Sequence, residues 1–305
     1  MRGRGRVTLP FSFAHRTGNG IAMPRFTSFA CVDWSGAKGC LHPGIALAVC
    51  EAGDASPELI APLGKAWSRE EIAEWLLAQD DDLLIGFDFS FAPPKVVRGE
   101  YLPGDNTANN ARDFWAYVEA TCDDEDLGAA SFLEQHHRRH FYLGAADGRK
   151  ADFMHWRRCD ALSILGDSGK TSCVFDAIGA SQVAKASFAG MRMLNRVGER
   201  LPIWPFDAVP ADGPLVVEIY TSIAARKSGV RKGRSKLRDA AALDNALASF
   251  NTKPHTPLDR YTDHATDAII TAAWLRHVAE RRELWSPNSL TPEIAETEGW
   301  TFGVV

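Results

Sequence analysis

The sequence predicts an α/β fold with a central mixed five-stranded sheet, helices on both faces of the sheet, and a long helical insertion between the fourth and fifth strands. Two observations support this fold class. Short apolar runs alternate along the chain with segments of helical periodicity, which is the pattern of a layered α/β domain. The run Leu83–Phe87 is continuously apolar, which is typical of a strand buried on both faces of a sheet. A chain of 305 residues, 45% of them hydrophobic, can bury the core of one large domain.

The first part of the sheet is predicted from four apolar runs and one helix signal. Strands are expected over Ser28–Asp33, Gly44–Cys50, Leu59–Leu63 and Leu83–Phe87. Ser68 and Glu71 have the spacing of a capping box, so a helix is expected from there to Ala78. Pro93 and Pro94 end the regular pattern after the fourth strand, because proline cannot donate a backbone hydrogen bond.

After these prolines the pattern changes, and we interpret residues 93–210 as the insertion. Its helical pieces are expected over residues 111–120, 128–140 and 184–197. The core then resumes with a strand over Leu215–Tyr220 and with two helices, over Arg234–Phe250 and Thr262–Glu283.

Three parts of the chain are therefore expected. Residues 1–25 are rich in arginine and glycine and lack apolar periodicity, so they are predicted to form a disordered leader. Residues 26–285 form the predicted α/β domain, and residues 286–305 form a C-terminal tail that wraps its surface.

Composition limits the partners and the compartment. The net charge of −5 gives no general attraction to nucleic acid, so such a partner needs a local basic patch. The six cysteines form no CxxC pair and have no ligand-like spacing with histidine, which suits reduced thiols in a cytoplasmic protein. No run reaches the roughly 20 apolar residues of a membrane span, so no membrane partner is expected.

Four acidic residues are predicted to meet at one edge of the sheet. Asp33, Asp88 and Glu218 each close a predicted strand, and Asp267 lies in the first turn of a predicted helical stretch. One such residue alone is commonly a turn former or a helix cap. A buried cluster of carboxylates is costly unless a cation compensates it, so the four residues together predict a site for a hard divalent metal.

The chemistry that such a site supports is phosphodiester hydrolysis. Two Mg²⁺ or Mn²⁺ ions about 4 Å apart can activate a water molecule and stabilise the leaving oxygen. Asp33 is expected to bridge the ions, and the further ligands are Asp88, Glu218 and Asp267. His264 lies one helical turn before Asp267 and could orient the water, although a solvated histidine at a helix end explains it nearly as well. Asp263 is a competing ligand or N-cap.

A basic segment follows the predicted Glu218 strand and is the expected contact for nucleic acid. The residues assigned to this role are Arg226, Lys227, Arg231, Lys232 and Arg234. Lys236 and Arg238 continue the segment, and no acidic residue interrupts it. Such a segment can hold a phosphate backbone without reading its sequence. A solvated loop and an exposed helix face explain it equally well.

The segments that contain the acidic residues also resemble a known family. ACVDWSGAKG, LIGFDFSFAPP, VVEIYTS and HATDAIITAAW together resemble the predicted RNase H-like nuclease family, catalogued as a domain of unknown function within the ribonuclease H-like superfamily. CVFDAIGASQV and WPFD also look like features of that family. The resemblance covers most of Phe29–Leu275 and implies an RNase H-like fold with Asp33, Asp88, Glu218 and Asp267 as its acidic site. The last helix is similar to that of Holliday-junction resolvases, in which His or Asp precedes the last metal-binding Asp by three residues.

Two other function classes stay open. The segment Asp33–Lys38 loosely resembles the phosphate-binding hairpin of actin-like sugar or small-molecule kinases and ATPases, which share the core fold. The chain is short for two such domains, and a second glycine-rich phosphate loop is not evident. A degenerate, non-catalytic binding protein is the other alternative, because fold alone does not decide function.

Two further motifs receive structural interpretations. Gly166–Thr171 resembles half of a P-loop, but Ile164 stands where the first glycine is expected, so we interpret the motif as a surface turn. His136, His137 and His140 include a pair at helical spacing. The two arginines between these histidines favour an exposed cationic face over a metal site.

Overall fold

The core of the protein is one mixed β-sheet flanked by helices. The computed structural model describes residues 26–166, 171–179, 183–230 and 236–305, so the predicted leader over residues 1–25 lies outside the described residues. The strands are β1 (Ser28–Asp33), β2 (Ala46–Glu51), β3 (Glu58–Ile60), β4 (Leu83–Phe87), β5 (Ile203–Trp204) and β6 (Leu215–Glu218). The prediction of an α/β fold with a mixed sheet is confirmed.

The topology of the sheet brings three strand ends together. The strand order is β3-β2-β1-β4-β6-β5. β2 is antiparallel to both β1 and β3, whereas β4 is parallel to β1, and β6 is parallel to β4 and β5. Because β1, β4 and β6 are neighbours that run in the same direction, their carboxyl ends lie at the same edge. This edge holds Asp33, Asp88 and Glu218.

The sheet has six strands, one more than the sequence predicted. The additional strand is β5, whose residues Ile203 and Trp204 pair with Val216 and Val217 of β6. Two residues are too few to show an alternating pattern, and they follow a long stretch dominated by helical pieces. Residues 93–210, interpreted from the sequence as a helical insertion, therefore also contribute an edge strand to the sheet.

Nine α-helices occur in the described stretches of the chain. They are α1 (Arg69–Leu77), α2 (Ala111–Thr121), α3 (Arg158–Leu165), α4 (Ala184–Val197), α5 (Thr221–Lys227), α6 (Ala240–Ala248), α7 (Asp263–Val278), α8 (Arg282–Trp285) and α9 (Pro292–Thr297). The predicted capping box begins α1. Ser68 Oγ accepts a hydrogen bond from the Glu71 N–H at 3.0 Å, and Glu71 Oε2 accepts one from the Ser68 N–H at 2.8 Å.

Several predicted elements differ from the structure at their ends. The helix expected over residues 128–140 is mainly a π turn, Phe132–His136, followed by a 3₁₀ turn, Arg138–His140. The strand expected to reach Tyr220 ends at Glu218, and α5 follows it. The helix expected from residue 234 begins at Ala240, because Asp239 caps it by accepting a hydrogen bond from the Ala242 N–H at 2.9 Å.

Helices cover both faces of the sheet, because alternate residues of each strand point to opposite sides. On one face, Val32 and Ile85 pack against residues of α1, α2 and α4. On the other face, Cys31 and Leu84 pack against residues of α5, α6 and α7. None of the helices seen in the described ranges is long and apolar enough to cross a membrane.

Candidate functional site

Three aspartates and one histidine lie together at the carboxyl ends of β1 and β4. Asp33 is the last residue of β1, and Asp88 directly follows β4. α7 packs across β1 and brings Asp267 and His264 to the same edge. The Nδ1 atom of His264 lies 3.2 Å from Oδ2 of Asp33. The sequence predicted that Asp267 lies in the first turn of this helix. α7 begins at Asp263, so Asp267 lies in its second turn.

The charge of Asp33 acts on both other aspartates, and the charge of Asp88 acts on Asp267. Burial, and then the charge of Asp33, raise the pKa of Asp88 to about 7, although hydrogen bonds from Thr221 oppose the shift. Burial, followed by the charges of Asp33 and Asp88, raises the pKa of Asp267 to about 7. Burial also raises the pKa of Asp33, and His264 opposes that shift. Burial therefore makes ionisation of all three carboxylates more costly than in water, and the charge of Asp33 adds to that cost at Asp88 and Asp267.

The thiol of Cys31 lies close enough to the three aspartates for their charges to shift its pKa. Its pKa is raised well above the ordinary value, first by burial and then by the charges of Asp33, Asp88 and Asp267. Cys31 is two residues before Asp33 on β1, so the two side chains point to the same face of the sheet. The raised pKa keeps this buried thiol protonated and neutral at ordinary pH.

His264 closes the site toward the loop that follows β1. Its side chain is 46% exposed, and the hydrogen bond to Asp33 is the main cause that raises its pKa. The ring also approaches Gly44, where a Cβ would lie 3.3 Å from His264 Nε2 and 3.4 Å from Ser35 Oγ. Ser35 and Gly44 therefore lie beside the imidazole, and a larger residue at position 44 would crowd it.

A buried arginine fixes the loop that connects β1 to β2. Arg69 donates hydrogen bonds to the carbonyl oxygens of Ser35, at 2.9 Å, and Ala37, at 2.5 Å. At Gly36 the loop touches α4, because a Cβ there would lie only 2.1 Å from the backbone nitrogen of Ala186. The loop that follows Asp33 is thus held from two sides.

Glu218 reaches the predicted edge, but its carboxylate is engaged by other groups. Arg157 donates to both of its oxygens, to Oε2 at 2.7 Å and to Oε1 at 2.6 Å. The Thr301 hydroxyl donates to Oε1 at 2.5 Å, and the Phe91 N–H donates to Oε2 at 2.8 Å. Glu218 and Arg157 are each only 2% exposed. In this conformation Arg157 supplies the positive charge that was expected from a metal.

Part of the C-terminal tail is buried, and its residue Thr301 contacts Glu218. The sequence predicted that residues 286–305 wrap the surface, but Trp300 and Phe302 are fully buried. Thr301 forms an isolated bridge with Glu218, next to the end of β6. Because the buried residues Trp300 and Phe302 flank Thr301, the tail enters the core at this point. Thr301 is thus one of the groups that contact Glu218.

The basic segment is described only in part. Arg231, Lys232 and Arg234 lie outside the described residues. Arg226 and Lys227 form the last turn of α5, where Arg226 is partly buried and Lys227 is exposed.

The continuation of this segment contacts the start of α7. Lys236 forms an ion pair with Asp263, and Arg238 NH1 lies 3.0 Å from Asp263 Oδ1. Asp263 therefore binds two cations of the basic segment, one residue before His264. Lys236 also acts on the site, since its charge helps to lower the pKa of Asp267.

The histidine group on the π and 3₁₀ turns is not the exposed cationic face that the sequence predicted. His137 Nδ1 and His140 Nε2 lie 2.9 and 2.8 Å from the same oxygen, Oδ2 of Asp105. Burial lowers the pKa of both histidines. Only His136 fits the expectation of exposure, and it pairs with Asp123 at 2.9 Å. Asp105 is 32 residues before His137, so no local pattern indicated the contact.

The ligand atoms of Asp105, His137 and His140 all lie within 4.8 Å of one another. Among the residues that the structure describes, no three of the four predicted acidic ligands bring their oxygens equally close. Comparison of the chain with protein-family models, curated proteins and solved structures finds no match.

Proposed function

We propose that the chain is a metal-dependent phosphodiester hydrolase, a nuclease with an RNase H-like fold. The observation that carries the proposal is the repulsion that the charge of Asp33 exerts on Asp88 and Asp267 in one buried site. The three carboxylates come from separate elements, and the charge of Asp33 raises the pKa of both Asp88 and Asp267, although His264 and Lys236 oppose the shift at Asp267. A divalent cation removes this cost, and perturbed carboxylates of this kind are common at catalytic sites.

The donor atoms of the site fit a hard cation. Asp33, Asp88 and Asp267 offer only carboxylate oxygens, which suit Mg²⁺ or Mn²⁺. Bound there, such an ion would lower the pKa of a water molecule and stabilise a leaving oxygen. The mixed sheet, in which β1, β4 and β6 run parallel and β2 runs antiparallel, supports the RNase H-like fold that the sequence resemblance implies.

The protein positions these oxygens through neighbouring donors. Thr221 donates its hydroxyl to Asp88 Oδ2 at 2.9 Å, which fixes the orientation of that carboxylate. His264 contacts Asp33 Oδ2 and carries a partly exposed ring, so it can hold a proton next to the position that an attacking water would take. In the proposed mechanism Asp33, Asp88 and Asp267 would hold the ion, and His264 would handle the proton.

Arg157 decides whether a second ion can bind. Glu218 is the fourth expected ligand, and Arg157 engages both of its oxygens. The first ion would therefore be held by Asp33, Asp88 and Asp267. A second ion would need Glu218 to leave Arg157, so the two-ion mechanism requires a rearrangement at this ion pair.

Nucleic acid is the proposed substrate, and the basic segment is its proposed contact. Lys236 and Arg238 form ion pairs with Asp263 at the start of α7, one residue before His264, and residues 231–234 precede them in sequence. Because the whole chain has a net charge of −5, affinity for a phosphate backbone has to come from a local group of cations such as this one.

Calorimetric titration with Mn²⁺ and a cleavage assay on DNA and RNA substrates test the proposal. Asp88→Asn and Asp267→Asn should each weaken Mn²⁺ binding and abolish cleavage. Asp54→Asn is the matched control, since Asp54 is an exposed aspartate paired with Lys253 at 3.0 Å, and both properties should be unchanged.

Other outcomes of the same experiment contradict the nuclease. Binding of ATP without cleavage of any nucleic acid would favour the kinase or ATPase class. Binding of neither Mn²⁺ nor ATP would favour a non-catalytic protein. Mn²⁺ affinity that stays the same in Asp88→Asn and Asp267→Asn would remove the proposed site.

A further inference from the structure

The three residues Asp105, His137 and His140 form a compact set of metal-type ligands outside the carboxylate site. One oxygen, Asp105 Oδ2, lies 2.9 Å from His137 Nδ1 and 2.8 Å from His140 Nε2. The side chains of both histidines are only 8% exposed, and that of Asp105 is 22% exposed. Two imidazoles therefore converge on a single carboxylate oxygen in a largely dry environment.

The local backbone explains why the two histidines meet. The chain changes from a π turn, Phe132–His136, to a 3₁₀ turn, Arg138–His140, at His137. In 3₁₀ geometry residues three apart are eclipsed, so His137 and His140 point to the same side. π turns are also frequent at functional sites.

Further contacts fix the orientation of these ligands. The Tyr117 hydroxyl lies 2.9 Å from Nε2 of His137, which leaves Nδ1 directed at Asp105. Arg139 binds the other oxygen of Asp105, Oδ1, and leaves Oδ2 to the histidines. In metal sites the histidine nitrogen that does not bind the metal commonly forms a hydrogen bond with another group, and metal-binding carboxylates are hydrogen-bonded as well.

We propose that Asp105, His137 and His140 bind one transition-metal ion of the Zn²⁺ class. Two imidazole nitrogens and one carboxylate oxygen suit such an ion better than Mg²⁺, which prefers oxygen ligands alone. Zn–N and Zn–O bonds of about 2.0–2.1 Å place tetrahedral ligands about 3.3 Å apart. The present N···O distances of 2.8 and 2.9 Å would thus open by only about half an ångström.

Three protein ligands leave a fourth position for water or an anion. Arg139 pairs with Asp105 and also donates a hydrogen bond from its Nε to His140 Nε2 at 3.2 Å, so its positive charge opposes the ion. It therefore lowers the affinity of the site and favours an anion at the fourth position. The Arg139→Gln variant should bind the ion more tightly than the wild type, provided that Asp105 keeps its orientation.

Titration of the full chain with Zn²⁺ and Co²⁺ tests the site. Calorimetry in excess Mg²⁺ measures Zn²⁺ binding while Mg²⁺ competes at the carboxylate site, and the visible spectrum of bound Co²⁺ reports nitrogen ligands. His140→Gln should lower Zn²⁺ affinity at least about tenfold and remove the Co²⁺ spectrum. His136→Gln is the matched control, because His136 ends the preceding π turn, directly before His137, and pairs with the exposed Asp123.

Equal Zn²⁺ affinity in the wild type, His140→Gln and His136→Gln would overturn the proposal. Circular dichroism shows whether each variant is folded. If His140→Gln does not fold, Asp105→Asn replaces it, and retained Zn²⁺ binding by that variant overturns the proposal in the same way. The result is independent of the nuclease assay, because Asp88→Asn should keep the Zn²⁺ site.

Discussion

Removing one charge from the aspartate cluster should stabilise the protein in the absence of divalent metal. The perturbation is Asp88→Asn, which keeps the shape of the side chain and can keep the hydrogen bond that Thr221 donates at 2.9 Å. In the wild type, burial and the neighbouring Asp33 raise the pKa of Asp88 from 3.8 to about 7. An ionised Asp88 is therefore more costly in the folded protein than in the unfolded chain.

The sign and size of the effect follow from proton linkage. Between its unfolded and folded pKa values, Asp88 holds a proton in the folded state that it has lost in the unfolded state. The stabilisation that comes from this more tightly held proton of Asp88 is therefore complete below pH 3.8, and it is lost as the pH rises to about 7. A difference of about three pH units corresponds to at most about 4 kcal/mol. Because the charge of Asp88 contributes to the raised pKa of Asp267, the double variant should gain less than the sum of two single gains.

Urea unfolding with EDTA at pH 5 and pH 8 measures this difference. Asp88→Asn should gain more stability at pH 8 than at pH 5, and added Mn²⁺ should stabilise the wild type more than the variant. Asp54→Asn should show no such gain, since Asp54 is exposed and paired with Lys253. A gain of equal size at both pH values would refute the reasoning, because neutralising a repelled carboxylate must have a pH-dependent effect.

Three further variants test other parts of the structure. Arg157→Gln should destabilise the fold by about 3–5 kcal/mol in urea unfolding, because it leaves the carboxylate of Glu218 buried without its cation; a loss below 1 kcal/mol on that scale would show that the pair is not buried in solution. Gly36→Ala should lower the melting temperature, since its Cβ would lie 2.1 Å from a backbone nitrogen, whereas Gly64→Ala, with open space around it, should not. Lys236→Gln should reduce the slope of log affinity against log salt for nucleic acid by about one, and an unchanged slope would place the phosphate contact elsewhere.

The sequence predicted those elements of the fold that a local pattern determines. It did not predict elements that form only through contacts with residues far away in the chain. β1 and β4 were predicted with the observed ends, because Ser28–Asp33 and Leu83–Phe87 are apolar runs bounded by polar residues. The capping box of α1 also needs only four consecutive residues. β5 was missed, because two residues become a strand only through pairing with β6. The histidine turn was misread for the same reason, since Asp105 gives it a partner from outside the segment.

In the candidate site, too, the sequence predicted where the acidic residues lie but not which groups they contact. Strand ends at one edge of a sheet place Asp33 and Asp88 together, and the helical spacing places His264 on the side of Asp267. The sequence could not show which carboxylates keep free oxygens. Glu218 has the same kind of strand-end position as Asp33.

What separates these two carboxylates is the sign of the nearest charges. The charge of Asp33 raises the pKa of Asp88 and Asp267, and Asp33 contacts a partly exposed imidazole, so its environment would favour a further cation. Glu218 is already satisfied by Arg157, which comes from a position 61 residues earlier in the chain. A metal that approaches Glu218 must displace a guanidinium that forms two hydrogen bonds with it, whereas at Asp33 it would relieve repulsion. On the proposed mechanism, the ion held by Asp33 would therefore bind before any ion at Glu218, and this order would depend on one arginine that no spacing rule could connect to the site.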